Sequence, residues 1–290
     1  MTLTLQILFD SLLLAGMLAV GALGFTLVWG VLNVLNLTYA AFIMMGAYIS
    51  YGLWHIGIDF LLTIPLTVLI MFMVGWAVQR YVIDYVMNGP HAANIALTYG
   101  MNLIAVGLAL YFFSAVDRSI LVPGYLQGVM EIAGVKLPYV RIVTTVVALA
   151  LTAVVWWFFD HTEYGAAIRA TRLDMEAAQL VGIKVKTIYN LTTAIAASLA
   201  GAMGALLALV FSASPYIGDH FFLQIIIVTV LGGLGSILGP LLGALVVGLA
   251  ISAASHLAGA TYGVLVGAVI VLIVLAVRPS GLLGKRFYEA

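Results

Sequence analysis

The densest group of charged side chains in this 290-residue chain lies at residues 160–186, here called the charged segment. Polar side chains occupy one helical face of this stretch, and Ala, Ile, Leu and Val occupy the other. The pattern predicts two short helices, 164–172 and 175–183, with a turn near Asp174 and an end at Gly182. We expect a docking element for a soluble partner, although a solvated loop is the simpler alternative. Its charged residues are Asp160, Glu163, Arg169, Arg172, Asp174, Glu176, Lys184 and Lys186.

The other reactive residue types indicate neither an enzyme nor a metal site. The five His residues are scattered over loop positions, without H-E-x-x-H spacing or a carboxylate cluster. Cys is absent, which excludes thiolate ligands, a Cys nucleophile and disulfides. No G-x-x-x-x-G-K-[ST] sequence occurs, so the chain has no P-loop of its own. We therefore predict no catalytic residue, no metal and no cofactor bound by this chain.

The composition requires a lipid environment around the charged segment. Hydrophobic residues make up 64% of the chain, charged residues only 8%, and mean hydropathy is +1.21, whereas soluble domains carry about 25% charged residues. The formal net charge is zero, which argues against a nucleic-acid partner. The fold class is therefore all-α polytopic membrane protein, with residues 1–290 forming one transmembrane domain.

Stretches of roughly 20 apolar residues predict about eight transmembrane helices. The stretch 221–254 is too long for one span, and glycines at 232–236 break it into two short helices or a re-entrant hairpin. Residues 80–90 are a polar stretch after the third span, and residues 128–138, within the external loop 114–138, are predicted to form a short β-hairpin. The predicted spans are 12–32, 39–53, 60–78, 92–113, 139–159, 188–211, 221–254 and 259–277.

The distribution of Lys and Arg predicts the orientation, because these residues favour the cytoplasmic side. Placing the charged segment inside puts the N-terminus outside and the C-terminus in the cytoplasm. The N-terminal run MTLTLQILFD has no Lys or Arg, so the first apolar stretch is interpreted as a retained span. Arg118, Lys136 and Arg141 are then outside. The basic residues inside are Arg80, Arg169, Arg172, Lys184, Lys186, Arg278, Lys285 and Arg286.

Two polar interruptions of apolar sequence are candidates for a substrate pathway. The first could offer carboxamides and hydroxyls to a substrate without the desolvation cost of a charge, or it could be a plain interfacial turn. The second could be a non-helical turn at membrane depth, or its glycines could only permit close helix packing. The first contains Asn33, Asn36, Thr38 and Tyr39, and the second Gly232, Gly233, Gly235 and Ser236.

The predicted spans offer no buried carboxylate or comparable ion site, since the charged residues fall at loop ends. A proton- or sodium-coupled carrier usually needs such a site. Together with the missing P-loop, this pattern indicates that driving energy enters from outside the chain.

Residues 176–183, EAAQLVGI, resemble the E-A-A…G loop of ABC import permeases. The wider run 165–183 is similar to that loop in permeases of the branched-chain (hydrophobic) amino acid uptake family. Matches follow in order along most of the chain: Gly30, Asn33 and Asn36 before 46–48, then AGAMGAL at 200–206, Pro215 and Gly218, LGGLGSILGP at 231–240, and RPSGLLGK at 278–285.

The resemblance implies the permease subunit of a binding-protein-dependent importer in the bacterial plasma (inner) membrane. It implies a second, related permease, as a heterodimer rather than a homodimer, two cytoplasmic ATPase subunits that use the ATP, and an extracytoplasmic substrate-binding protein. The residues expected to couple to the ATPases are Arg169, Asp174, Glu176, Ala177, Ala178 and Gly182.

One departure from the family pattern leaves the substrate open. The family commonly shows N-[FL]-A-H-G after the first span, where this chain has NLTYA at 36–40. Branched-chain or related hydrophobic amino acids are the leading expectation, with urea, short amides or aromatic acids as alternatives within the same type of importer. An ion-coupled secondary carrier and a passive small-solute channel are the alternatives from other classes.

Overall fold

The long apolar stretches form helices because each backbone N–H and C=O in lipid must be bonded within its own segment. The computed structural model describes residues 2–87, 89–132, 135–233 and 238–259, and isolated positions between 262 and 273. Its helices are α1 (Thr2–Leu32), α2 (Thr38–His55), α3 (Phe60–Val78), α4 (Asp84–Val86), α5 (His91–Phe113), α6 (Tyr139–His161), α7 (Glu163–Leu173), α8 (Met175–Leu180), α9 (Val185–Val210), α10 (Ile217–Gly232) and α11 (Gly239–Ala258). Strands β1 (Val129–Ile132) and β2 (Val135–Pro138) pair antiparallel between α5 and α6.

Six helices in the described part of the chain are long and apolar enough to cross a membrane, where the sequence predicted about eight spans. Helix α2, which covers the predicted span 39–53, is not among these six, and α10 is too short, since 16 residues extend about 24 Å. The predicted last span, 259–277, and the basic tail lie largely outside the described residues. The six candidate spans are Thr4–Leu32, Phe60–Val86, Ala92–Phe113, Tyr139–His161, Val185–Val210 and Gly239–Leu257.

The predicted end of the third span at Val78 is wrong, because the helix continues to Val86. Helix α3 continues through a π-helical turn, Gln79–Ile83, into α4. The buried Gln79 side chain makes this possible: its Nε2 donates to Asp84 Oδ1 at 2.8 Å, and its Oε1 accepts from Thr193 Oγ1 at 2.7 Å. Because these polar groups satisfy one another, the chain need not leave the helix to hydrate them.

Helices α1 and α9 form the centre of the bundle. In each of their apolar windows 89% of residues are buried, against 17% in α5 and 28% in α3 and α6. Gly21 faces Met203 and Gly24 faces Leu199, so the two central helices run antiparallel. At Gly204 the backbone of α9 approaches the Ile43 carbonyl of α2 so closely that a Cβ would collide with it. The peripheral helices therefore present most of their apolar surface outward, as in a membrane protein.

The bundle has two chemically different ends. At one end, α7 and α8 follow α6, and Arg172 lies beside Gly30 near the end of α1. At the other end, the β1–β2 hairpin packs on the start of α1, where Leu137 meets Leu13. We call these the charged-segment end and the hairpin end.

Candidate functional site

Asp174 builds the turn between the two helices of the charged segment. Its N–H closes α7 by donating to the Ala170 carbonyl at 3.1 Å, and its carboxylate caps α8 by accepting from the Ala177 N–H at 2.9 Å. Thr162 caps α7 in the same way, accepting from the Gly165 N–H at 3.0 Å. Both side-chain types are preferred helix caps, because they satisfy N–H groups that have no partner within the helix. The predicted turn at Asp174 is thus seen in the structure.

Gly182 ends α8 through a Schellman motif. Its φ of +88° lies in the left-handed region, which glycine adopts without the strain of a Cβ. The Gly182 N–H donates to the Gln179 carbonyl at 3.0 Å, and the Ile183 N–H donates to the Ala178 carbonyl at 3.0 Å. These two bonds turn the chain directly into α9. Both ends of the short helix α8 are therefore held by specific hydrogen bonds.

The outer face of the charged segment exposes apolar side chains. Leu173 is 84% exposed and Leu180 is 89% exposed, although neither lies on a membrane span. Ala178 is buried, whereas Glu176 and Ala177 face solvent. Large apolar groups exposed together outside the bilayer mark an interaction surface. The expected docking element therefore has the required chemistry on its surface.

Gly165 and the two arginines fix α7 against the bundle. A Cβ at Gly165 would collide with the Phe159 carbonyl, so only glycine allows α7 to lie this close to the end of α6. Arg169 and Arg172 line a small cavity together with Phe159 and the C-terminal third of α1. Burial lowers the pKa of the Arg172 guanidinium, since desolvation disfavours its charged form.

The first predicted substrate turn is divided between two environments. Asn33 has a φ of +53° and lines a cavity of about 400 Å³ with Asp84, Arg172 and Lys186. Asn36 is buried, and its Oδ1 accepts from the Thr38 N–H at 3.0 Å. The structure therefore brings Asn33 to the charged segment and leaves Asn36 inside the bundle.

Thr38 and Tyr39 hold α2 within the bundle. The Thr38 hydroxyl donates to the Thr98 carbonyl of α5 at 3.1 Å. The Tyr39 side chain is 1% exposed, and its hydroxyl donates to the Gly21 carbonyl of α1 at 2.7 Å. Both hydroxyls thus have protein partners, and a substrate role for these two residues stays a prediction.

The second predicted turn joins α10 to α11. The two helices run back along each other, and a Cβ on Gly232 would collide with the Gly239 carbonyl. Gly243 approaches the Val228 carbonyl in the same way. Gly233 has a φ of +94°, which ends α10. The glycines thus serve close backbone packing, while Gly235 and Ser236 lie outside the described residues.

Comparison with known proteins assigns the family. The family described as "Branched-chain amino acid transport system / permease component" matches residues 7–275. This chain belongs to that family. The membership, together with the six apolar helices, makes it a multi-pass membrane protein.

Curated relatives of this family member cover nearly its whole length. The high-affinity branched-chain amino acid transport system permease protein LivH of Escherichia coli K12 is 28% identical over 97% of this chain and 96% of its own length. The corresponding protein BraD of Pseudomonas aeruginosa is 26% identical over 97% of this chain and 96% of its own. A probable LivH of Methanocaldococcus jannaschii is 25% identical over 80% of this chain and 75% of its own. No solved structure matches the chain significantly.

Sequence reasoning missed one polar cluster of this permease family member, formed by Asp10, Arg141 and His256 at the hairpin end. The prediction that charges fall at loop ends is wrong for Asp10, which lies within the apolar helix α1 and has a carboxylate side chain only 12% exposed. Its partners lie 131 and 246 residues away in sequence. The orientation rule carried a signal, because it placed Arg141 and the N-terminus, which precedes Asp10, outside.

Proposed function

We propose that this chain is the membrane permease subunit of an ABC importer for branched-chain amino acids, located in the bacterial inner membrane. Its family and its full-length relatives support the transport class and the substrate class. The observation that carries the coupling role is the charged segment, a capped helix pair with exposed apolar side chains at the end of a lipid-embedded bundle.

The same surface supports cytoplasmic ATPase subunits as partners. Closure of two ATPases on ATP would pull on α8, and its fixed exit through Gly182 would pass the displacement directly into α9. Since α9 is the buried centre of the bundle, its movement changes the packing of the helices around it. The N-terminus is then extracytoplasmic, the C-terminus cytoplasmic, and the hairpin end faces an external binding protein. A second, related permease completes the importer as a heterodimer.

Reconstitution of the permease pair with its ATPases and binding protein in proteoliposomes tests the proposal. We expect ATP-dependent uptake of leucine, isoleucine or valine that requires every subunit. Inhibition of leucine uptake by urea, short amides or aromatic acids at equal concentration tests whether one of these compounds is the preferred substrate of the importer. Uptake driven by an ion gradient without the ATPases, or passive flux without ATP, would contradict the importer mechanism.

Two substitutions in α8 separate an importer from a channel. Glu176→Lys reverses an exposed charge on α8, and Gly182→Val forces a β-branched side chain into the left-handed region. We expect both changes to lower uptake per ATP hydrolysed. A passive channel would continue to conduct in both variants.

A further inference from the structure

A second polar site lies at the hairpin end, in a cavity of about 370 Å³ between α1, α6, α9, α10 and α11. Asp10 is its centre. The Asp10 carboxylate accepts from Arg141 Nη1 at 2.9 Å and from Gln6 Nε2 at 3.1 Å. His256 Nε2 lies 3.3 Å from the same carboxylate, and His256 Nδ1 lies 3.0 Å from the Ser252 carbonyl.

Arg141 gives this cavity the capacity to bind a carboxylate. A guanidinium carries five N–H donors, and the described residues show only one hydrogen bond from Arg141 within the cavity, to Asp10. The side chain is 43% exposed, so the remaining donors are accessible to a ligand. Arginine binds carboxylates through paired hydrogen bonds, which orient the ligand as well as hold it.

Gln224 and Asp10 give the cavity the capacity to bind an ammonium group. Gln224 lines the cavity and is 3% exposed, and its Oε1 has no hydrogen-bond partner among the described residues. A buried acceptor without a donor is costly, so such a group indicates a missing partner. An ammonium group supplies donors, and the adjacent Asp10 carboxylate supplies the opposite charge.

The rest of the lining is mostly apolar, with His220, Ser252 and Ser255 as its other polar residues. Leu13, Leu14, Met17, Val210, Phe221 and Ile251 surround the polar groups. Ligand sites commonly combine a largely apolar lining with a few polar groups that fix orientation. A small molecule with one positive group, one negative group and an aliphatic side chain matches all three parts of this cavity.

We propose that this cavity binds the transported amino acid as a zwitterion. Its carboxylate would lie at Arg141, its ammonium group at Asp10 and Gln224, and its aliphatic side chain against the apolar walls. The inference rests on the proposed function, which places the hairpin end on the side where a binding protein delivers substrate. The substrate site is then separate from the charged segment and from the polar turn at Asn33.

The natural absence of cysteine permits a direct test in the complete importer. Ser255 lines the cavity, so Ser255→Cys introduces a reporter thiol there. The importer is placed in nanodiscs and treated with a maleimide. Labelling is measured by mass spectrometry as the increase in mass of this chain, so that thiols of the other subunits do not contribute. L-leucine is expected to slow labelling several-fold, whereas isocaproate (no amine) and isoamylamine (no carboxylate) at the same concentration are not. A thiol at the exposed Ser114 of the same end should show no protection.

Charge variants in the Ser255→Cys background identify the binding groups. Arg141→Gln and Asp10→Asn are expected to weaken protection by leucine roughly tenfold or more, with partial recovery in Arg141→Lys. Lys136→Gln is the matched control, since it removes an exposed cation of the hairpin outside the cavity. Equal protection by leucine, isocaproate and isoamylamine in the Ser255→Cys importer would by itself overturn the inference. Full protection by leucine in a folded Arg141→Gln importer would also overturn it.

Uptake by the parent importer, which retains Ser255, separates the two proposals. ATP-dependent leucine uptake by the parent, without protection of the Ser255→Cys thiol, would leave the proposed function standing and overturn the zwitterion site, because the ion pair would then only join α1 to α6. Failure of the parent importer to import any branched-chain amino acid would contradict the proposed function and the site with it.

Discussion

At the hairpin end, charged side chains contact each other: Asp10 lies 2.9 Å from Arg141 and 3.3 Å from His256, within a cavity. At the charged-segment end, Glu176 and Lys184 face solvent, and the described residues show no ion pair for either. Charges that pair in a partly buried site orient one another and whatever binds between them. Exposed charges contribute little to the stability of the chain itself and remain for a partner.

Apolar side chains are exposed at both ends. Leu121 and Val129 are exposed at the hairpin end, and Leu173 and Leu180 are exposed at the charged-segment end. The two ends therefore differ in their charged groups and not in their apolar surface. This difference supports the proposed ligand site at the hairpin end and the proposed coupling role of the charged-segment end.

The largest expected effect comes from Gly165→Leu. A side chain at this position would collide with the Phe159 carbonyl, and overpacking costs about 1–3 kcal/mol even where neighbours can shift. We expect α7 to separate from α6 and ATP-dependent uptake to be lost. Leucine should still protect the thiol of Ser255→Cys, because that site lies at the other end.

Gly52→Leu in α2 is the matched control, since a Cβ there meets no atom within 4 Å. Uptake and protection should both stay at the parent level in this variant. Loss of both readouts in Gly165→Leu would contradict the separation of the two ends.

Leu180→Glu should have the next largest effect. The side chain is 89% exposed, so the melting temperature of the isolated permease should change by less than the equivalent of about 0.5 kcal/mol. Binding of the ATPase subunits should weaken about tenfold, since apolar groups central to an interface contribute most of its energy. Binding is measured by titrating purified ATPase onto the permease in nanodiscs.

Leu121→Glu provides the control for surface charge. Leu121 is 73% exposed in the loop between α5 and β1, at the other end of the bundle. ATPase affinity should not change in this variant. Equal weakening by both substitutions would show that added negative charge, and not the covered surface, sets the affinity.

The sequence predicted local elements better than distant contacts. The start of the range 60–78 agrees with α3, and the turn at Asp174 and the end at Gly182 agree because capping chemistry is local. The eight-span count is not confirmed, since α2 is not among the six candidate spans and the stretch after 259 is largely undescribed. The polar run after Val78 remained helical because Thr193, far along the chain, satisfies Gln79.

The candidate sites show the same limit. The charged segment was found because its charges are contiguous. The cluster at Asp10 was missed because Arg141 and His256 are distant in sequence and each reads as the end of an apolar run. Tyr39 illustrates the converse, since a polar residue between spans can have a protein partner that no sequence pattern reveals. Contacts between single polar residues that are far apart in sequence leave no periodic pattern, so they become visible only in the packed helix bundle.

Asp174→Ala should have a moderate effect at the charged-segment end. It removes the cap of α8, and a lost cap costs about 1 kcal/mol, which is roughly a fivefold change in the population of the ordered helix. We expect fewer leucine molecules imported per ATP hydrolysed. Asp174→Asn keeps a capping oxygen and should keep the parental ratio. An equally reduced ratio in Asp174→Ala and Asp174→Asn would show that the charge matters and the cap does not, and a normal ratio in Asp174→Ala would contradict a role for the cap.

The smallest effect concerns a single bond at the hairpin end. The Tyr125 hydroxyl donates to Asp59 Oδ1 at 2.8 Å and to Oδ2 at 2.9 Å, joining the loop before β1 to the start of α3. Burial and this bond to the carboxylate raise the pKa of Tyr125 to about 12. The protonated phenol is therefore favoured in the folded protein. Its stabilisation is complete below the ordinary tyrosine pKa of about 10 and is lost as pH rises towards 12.

The phenolate absorbance of the parent minus that of Tyr125→Phe isolates this titration among the 14 tyrosines. Asp59→Asn should move its midpoint down towards about 10, because the negative acceptor is gone. The helix cap that Asp59 Oδ1 provides to the Leu61 N–H should survive in this variant, since Asn caps as well as Asp. A parental midpoint near 10 would show that the bond does not form. The loop before β1 would then lack this connection to α3, and the Asp10 cavity would keep its own pairs.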